Sequence, residues 1–161
     1  MTFQLTEPIL LIGLGGVGAR LAEKAKKSLN SDCLLISHDQ KDLTAENSIK
    51  ISTKSVVNPS THLIRGSTLE TSDEIKKNIA NYSTVILMSN LAGKAGAGIG
   101  PIVSRICKQE QKNLLSFVIM PFKFEKERIF QSGISLKRIR QDSQCTIVVD
   151  NDALLDSNPD L

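Results

Sequence analysis

An apolar run, Ile9-Leu-Leu-Ile-Gly13, passes directly into Gly13-Leu-Gly15-Gly16-Val-Gly18-Ala-Arg20, and no other feature constrains the fold of the chain as tightly. A buried strand that delivers through a glycine turn into a helix brings unpaired backbone amides to the end of a sheet, where they can approach a phosphate. The same turn needs glycine for steric reasons alone, so it fixes a strand-turn-helix unit before it fixes a ligand.

Further β-rich runs occur at residues 34–37, 84–88, 114–119 and 146–149. Their near-continuous hydrophobicity predicts strands covered on both faces. Helical character lies between them at residues 17–29, at 71–80 behind a capping box of Thr71 and Glu74, from Pro101 to about Gln111, and at 126–141. Strands alternating with helices predict an α/β, doubly wound, mostly parallel sheet with helices on both faces, Rossmann-like in plan. Residues 52–67, with Pro59, several Ser/Thr and no clean period, read as an irregular excursion. The last residues, Ser157-Asn-Pro-Asp-Leu161, are expected to follow without a closing helix.

At 161 residues the chain is expected to be one domain, 1–161, able to bury roughly 70% of its unfolded surface. Its longest apolar stretch is glycine-rich and about half of the ~20 residues that cross a bilayer, and the first residues lack a secretory pattern, so the sequence reads as cytoplasmic. Cys33, Cys107 and Cys145 sit apart in apolar segments, as packed thiols do. A net charge of +3 is too small to argue for a nucleic-acid or lipid partner, and 4% aromatic residues offer no evident base-stacking platform, so no nucleic acid is expected. His38 and His62 have no partners at metal-ligand spacing and read as loop residues. The lysines at 24, 26 and 27 read as a solvated helix face.

A second glycine loop, Asn90-Leu-Ala-Gly93-Lys-Ala-Gly96-Ala-Gly98-Ile-Gly100-Pro101, also follows an apolar strand. Two such loops at one sheet edge suggest a polyphosphate held from two sides. Asp39 ends the second strand, where dinucleotide-binding folds place a ribose carboxylate and where an exposed loop aspartate would look the same.

Taken together, these segments resemble the FtsZ/tubulin family of GTP-binding filament proteins, in a divergent, archaeal-type form. Gly13 to Gly18 resembles the family's first phosphate loop, Ile36-Ser-His-Asp39 with Leu43 its I-N-T-D segment, and Gly93-Lys-Ala-Gly96-Ala-Gly98 its G-G-G-T-G-T-G signature. Pro121-Phe-Lys-Phe-Glu125 is similar to P-F-x-F-E-G, and Asp150-Asn151-Asp152-Ala-Leu to D-N-E-A-L. The resemblance implies the family's amino-terminal nucleotide-binding half, with GTP or GDP as ligand and Mg²⁺ as its companion. Gly15, Gly16 and Gly18 would then face the α- and β-phosphates, Gly93, Gly96 and Gly98 the β- and γ-phosphates, Glu125 the ribose and Asn151 the base. Asparagine near a strand end is also a common turn residue.

The departures bear on activity. Ala95 and Ala97 stand where the family has threonines, Lys94 where it has glycine, and Ala19-Arg20 where it has serine and asparagine. Lys94 and Arg20 are candidate phosphate contacts, and Arg128 falls near the family's basic position after Glu125. The family's carboxy-terminal activation half, with its acidic catalytic loop, has no counterpart in the 161 residues, so weak or no GTPase activity and no catalytic residue are expected of this chain. Self-association, or association with fuller FtsZ-family subunits, is the implied partnership. The alternatives are an ATP-dependent adenylating enzyme of the ubiquitin-activating type, which shares a loop like Gly13–Gly18, a nicotinamide oxidoreductase, and a scaffold of the same fold without nucleotide.

Overall fold

A computed structural model describes residues 5–157. In chain order the elements are β1 (Ile9–Leu14), α1 (Gly15–Leu29), β2 (Asp32–Ser37), a 3₁₀ turn (Gln40–Asp42), β3 (Ser48–Lys50), α2 (Thr61–Glu70), α3 (Ser72–Ile79) and β4 (Thr84–Asn90). They continue with α4 (Lys94–Gln109), β5 (Asn113–Met120), α5 (Lys126–Asp142), β6 (Cys145–Asp150) and α6 (Asn151–Ser157). The six strands form one sheet in the order β3-β2-β1-β4-β5-β6. Every pairing is parallel. The chain winds outward from β1 in one direction and from β4 in the other, so the strand order reverses between these two central strands. That reversal opens a crevice outside the carboxyl ends of β1 and β4, and α1 and α4 both begin there.

Strand alternation divides the core. Leu10, Ile12 and Leu14 of β1 face α2, α3 and α4, packing with Leu34, Ile36, Ile64, Ile75, Ile99 and Val103. Leu11, Leu35 and Ile86 point the other way, onto Ala19 and Ala22 of α1. On the α1 side, Leu115, Phe117 and Ile119 of β5 are only half-buried. Ile147 of β6 is 46% exposed on the same side, and Val148 is 38% exposed on the other. Two-sided coverage therefore holds for the central strands and fails at the β6 edge.

Several boundaries differ from the sequence reading. The helix expected from Pro101 begins at Lys94, so Pro101 lies inside α4. A proline there cannot bond back to residue 97. The freed Ala97 carbonyl instead accepts from Ser135 Oγ at 2.9 Å and from Arg65 Nη2 at 3.5 Å. The capping box at Thr71 does not form. Thr71 joins α2 to α3 with little break, and its hydroxyl donates backward to the Ser67 carbonyl at 2.9 Å. Part of the expected excursion is α2, started by Ser60, whose Oγ accepts from the Leu63 amide at 3.1 Å. The short strand β3 was not foreseen, and α6 overturns the expectation of no closing helix. The final residues, 158–161, lie outside the described part.

Cys33 and Cys107 are buried and Cys145 is half-buried, all as free thiols. Burial pushes the Cys107 thiol up to about 12, which makes it a packing group.

Two local features give testable outcomes. Tyr82, the only tyrosine in a chain without tryptophan, donates its hydroxyl to Asp32 Oδ2 at 2.6 Å. That hydrogen bond, then burial, then the Asp32 charge hold the phenol at about 12. The folded value lies above the ordinary ~10, so the bond's stabilisation is complete below about pH 10 and is lost as pH rises toward 12. Ultraviolet titration of tyrosinate should show a midpoint near the higher value, with Asp32→Asn bringing it back toward ~10. Gly66 lies exposed within α2, and a Cβ there would meet nothing within 4 Å. Gly66→Ala should stabilise the fold by about 0.5–1 kcal/mol, read as a higher urea midpoint.

Candidate functional site

The carboxyl ends of β1 and β4 deliver the first turns of α1 and α4 to one place. Neither helix has a side-chain cap, and neither carries an acidic residue in its first turn. Each start therefore leaves amides without intrahelical acceptors and an uncompensated partial positive charge. The two starts touch: Gly15 is in the left-handed region at φ 66°, and a Cβ on it would lie 3.0 Å from the Ala95 methyl.

The glycines have distinct tasks. Gly15 takes the positive φ that the turn requires. A Cβ on Gly18 would lie 2.5 Å from the Met88 carbonyl oxygen, so this glycine lets α1 lie close against β4. A Cβ on Gly96 would run into the Asn90 carbonyl oxygen and stand 2.6 Å from Ser89 Oγ. On Gly98 it would meet Thr61 and Ile64 of α2, the nearest atom at 3.0 Å. The Cβ-less sides of Gly18, Gly96 and Gly98 thus face protein, and of the three only the Gly96 amide belongs to the helix-start donors without an intrahelical acceptor. Gly93 is the N-cap of α4, in a turn shaped by Asn90: its amide donates to the Asn90 carbonyl at 3.1 Å, and the Ala92 amide to Asn90 Oδ1 at 3.1 Å.

Charged groups ring this double start. Lys94, the first residue of α4, extends to Asn58, donating from Nζ to Oδ1 at 2.6 Å. Asp42, which sequence reasoning missed, turns its carboxylate toward the first loop: a Cβ on Gly16 would lie 2.8 Å from Oδ1. Its Oδ2 accepts from Ser37 Oγ at 2.7 Å. Asp39 is exposed and caps the 3₁₀ turn, its Oδ1 accepting from the Lys41 amide at 3.0 Å, so the local turn already uses it. His38 is half-buried with Nδ1 lacking a partner. Burial lowers its pKa, Asp39 and Asp42 oppose that shift, and the Lys94 charge adds to it. Arg20 is exposed on α1, with Nη1 3.8 Å from where a Gly16 Cβ would stand.

An open cleft of about 620 Å³ adjoins the mouth, lined by His38, Asp39, Lys50, Thr53 and Asn58 among others. That is the size range of a small-molecule site. A cleft of about 670 Å³ runs along α1 from Arg20 to Asn30 without reaching Gly15 or Lys94. The smaller cleft has the stronger claim, because Asn58 on its wall accepts from Lys94 at the start of α4.

The remaining expected residues gather at the ends of β5 and β6. Glu125 closes its own turn, with Oε2 accepting from the Phe122 amide at 2.8 Å and Oε1 3.6 Å from Arg128 Nη1. Asn151 opens α6, and the Lys123 amide donates to Asp152 Oδ2 at 2.9 Å, tying the β5 turn to this helix. The structure thus brings Gly15, Gly16, Lys94 and Ala95 together. It keeps Glu125, Arg128 and Asn151 as a second group along the same edge.

Magnesium was part of the expectation, and the residues at the mouth do not fit it. Positions 95 and 97 offer methyl groups, Lys94 brings an ammonium, and Asp42 turns a single uncommitted carboxylate oxygen, Oδ1, to the first loop. Among the described residues no three His, Cys, Asp or Glu side chains are grouped to hold a metal ion. No helix there is long and apolar enough to cross a membrane.

Comparison with known proteins bears on the fold and the family. Cell division protein FtsZ 1 of Halobacterium salinarum is 27% identical over 167 aligned positions, covering 96% of this chain and 41% of the relative. FtsZ 2 of the same organism is 31% identical over 87 positions, covering 54% of this chain and 22% of the relative. In structure, the empty FtsZ dimer of M. jannaschii superposes with a TM-score of 0.86 at 24% identity, over 95% of this chain and 48% of that one. CetZ from Methanosaeta thermophila gives 0.75 at 17% identity. Those two likenesses show the fold, and the chain spans less than half the length of each of these FtsZ proteins. The adenylating-enzyme alternative finds no support among these matches. The family model described as "Tubulin/FtsZ family, GTPase domain" matches residues 8–159, and the chain belongs to that family.

Proposed function

We propose that this chain binds a guanine nucleotide, GTP or GDP, with its phosphates at the joined starts of α1 and α4, and that it serves a cell-division or cytoskeletal filament system. The observation carrying this reading is the pair of uncapped, acid-free helix starts in contact at Gly15 and Ala95. Strands lie about 4.8 Å apart, so the end of β6 is roughly 10 Å from that of β4. A nucleoside can cross that span, which leaves Glu125 and Asn151 in reach of ribose and base. The cell-division role is supported by the likeness to the Halobacterium cell division proteins.

Hydrolysis needs a positioned water and charge stabilisation around the γ-phosphate, and positions 95 and 97 bring only methyl groups. The isolated chain should therefore turn over GTP weakly or not at all. The nucleotide edge would also serve as the surface for a second copy or a fuller relative.

Calorimetric titration with GTP, GDP, ATP and NAD tests the reading. Preference for the guanine nucleotides is expected. A second reading, a scaffold of the same fold without nucleotide, is favoured by the Asp42 carboxylate beside Gly16 and by the Lys94 to Asn58 link across the mouth. Silence with all four ligands would establish that second reading and end the first.

A further inference from the structure

We propose that the Lys94 ammonium takes the place of a divalent cation at this site, so that a nucleoside triphosphate binds the chain without Mg²⁺. The inference rests on the nucleotide reading above and goes beyond it by naming how the phosphate charge is balanced.

Lys94 stands where a cation is least favoured, at the first residue of α4, beside the partial positive charge of two helix starts. Among the described residues the ion pairs are Lys108 with Asp142 and Arg128 with Glu125, and Lys94 is in neither. Its Nζ reaches the neutral Asn58 side chain instead. A lysine held against like charge with no carboxylate partner is relieved by an anion at the mouth. An ammonium offers a unit charge and three donors without fixed geometry, so it can follow phosphate oxygens as a point charge. Its field already reaches His38, which lines the same cleft as Asn58.

A Mg²⁺ held with the phosphates takes most of its near-octahedral oxygens from them and from water, and asks one or two of the protein. Ala95 and Ala97 have none to give from their side chains, and the Ala97 carbonyl is taken by Ser135 and Arg65. Asp42 turns a carboxylate to the first loop, with one oxygen engaged by Ser37. An ion drawn to its free oxygen would have to share the mouth with the Lys94 ammonium. Arg20, beside Gly16, adds a second cation on the α1 side.

The experiment titrates the full chain with GTP by calorimetry, once in excess EDTA and once in Mg²⁺. Dissociation constants within about threefold of each other are expected for the parent chain. Lys94→Ala should weaken binding in EDTA by at least about tenfold, and Lys94→Arg should retain it. Lys94 is exposed, so an unchanged melting temperature will verify that each variant is folded. A parent chain that binds GTP only with Mg²⁺ would overturn the inference and leave the nucleotide reading standing. Equal binding by Lys94→Ala in EDTA would do the same. A parent chain that binds GTP in neither solution would overturn the nucleotide reading itself, and the inference with it.

Discussion

Gly96→Ala is expected to cost about 3 kcal/mol of stability, at the upper end of the usual range for overpacking, although it adds a single methyl group to a helix. The new Cβ would press on the Asn90 carbonyl oxygen, which is backbone and cannot swing aside, and would crowd the buried Ser89 Oγ, which has no hydrogen-bond partner. Relief requires α4 to lift from β4 at the point where both meet the mouth. For a chain of this size the melting temperature should fall by roughly 6–12 °C. Gly66→Ala supplies the control, since the same change in open space should raise stability. A Gly96→Ala melting curve matching the parent would mean that α4 stands farther from the sheet than described. The comparison also warns against reading lost nucleotide binding in a Gly96 variant as loss of a phosphate contact.

Asp42→Asn is expected to strengthen GTP binding by roughly tenfold, equivalent to about 1.4 kcal/mol. The carboxylate faces the first glycine loop with Oδ1 uncommitted, so it repels phosphate oxygens at the mouth. At near-surface dielectric, like charges several ångströms apart interact on the order of a few kcal/mol, and salt reduces this. The asparagine keeps an oxygen for the Ser37 hydroxyl, so the turn should persist. Calorimetry at two ionic strengths checks the argument, and the gain should shrink at the higher one. A loss of affinity on Asp42→Asn would instead assign the carboxylate to a bridging cation and contradict the role given to Lys94.

The central unit was legible because its signals are local. Gly13 to Gly18 follows a saturated apolar strand, and only a tight strand-to-helix turn reconciles the two. The start of α4 was not legible, because its glycines argue for a loop and Pro101 for a first helical turn. What overrides them is the approach of Gly96 to β4 and of Gly98 to α2, contacts between residues distant in sequence. Helix α2 was hidden by its Ser/Thr content, although Ser60 following Pro59 is a recognisable helix start. The motif residues Gly15, Lys94, Glu125 and Asn151 could be picked out, yet their grouping could not: Lys94 meets Asn58 and Glu125 turns back on Arg128. Asp42 carries no motif signal at all, and its importance comes from the 3₁₀ turn that carries it over Gly16.

The proline inside α4 has a mechanical consequence. One turn beyond Lys94, the Ala97 oxygen is gripped by side chains of α2 and α5, so the tip of α4 cannot unwind alone. An occupant of the proposed site would therefore meet a helix start braced from both flanks, by α2 through Arg65 and by α5 through Ser135.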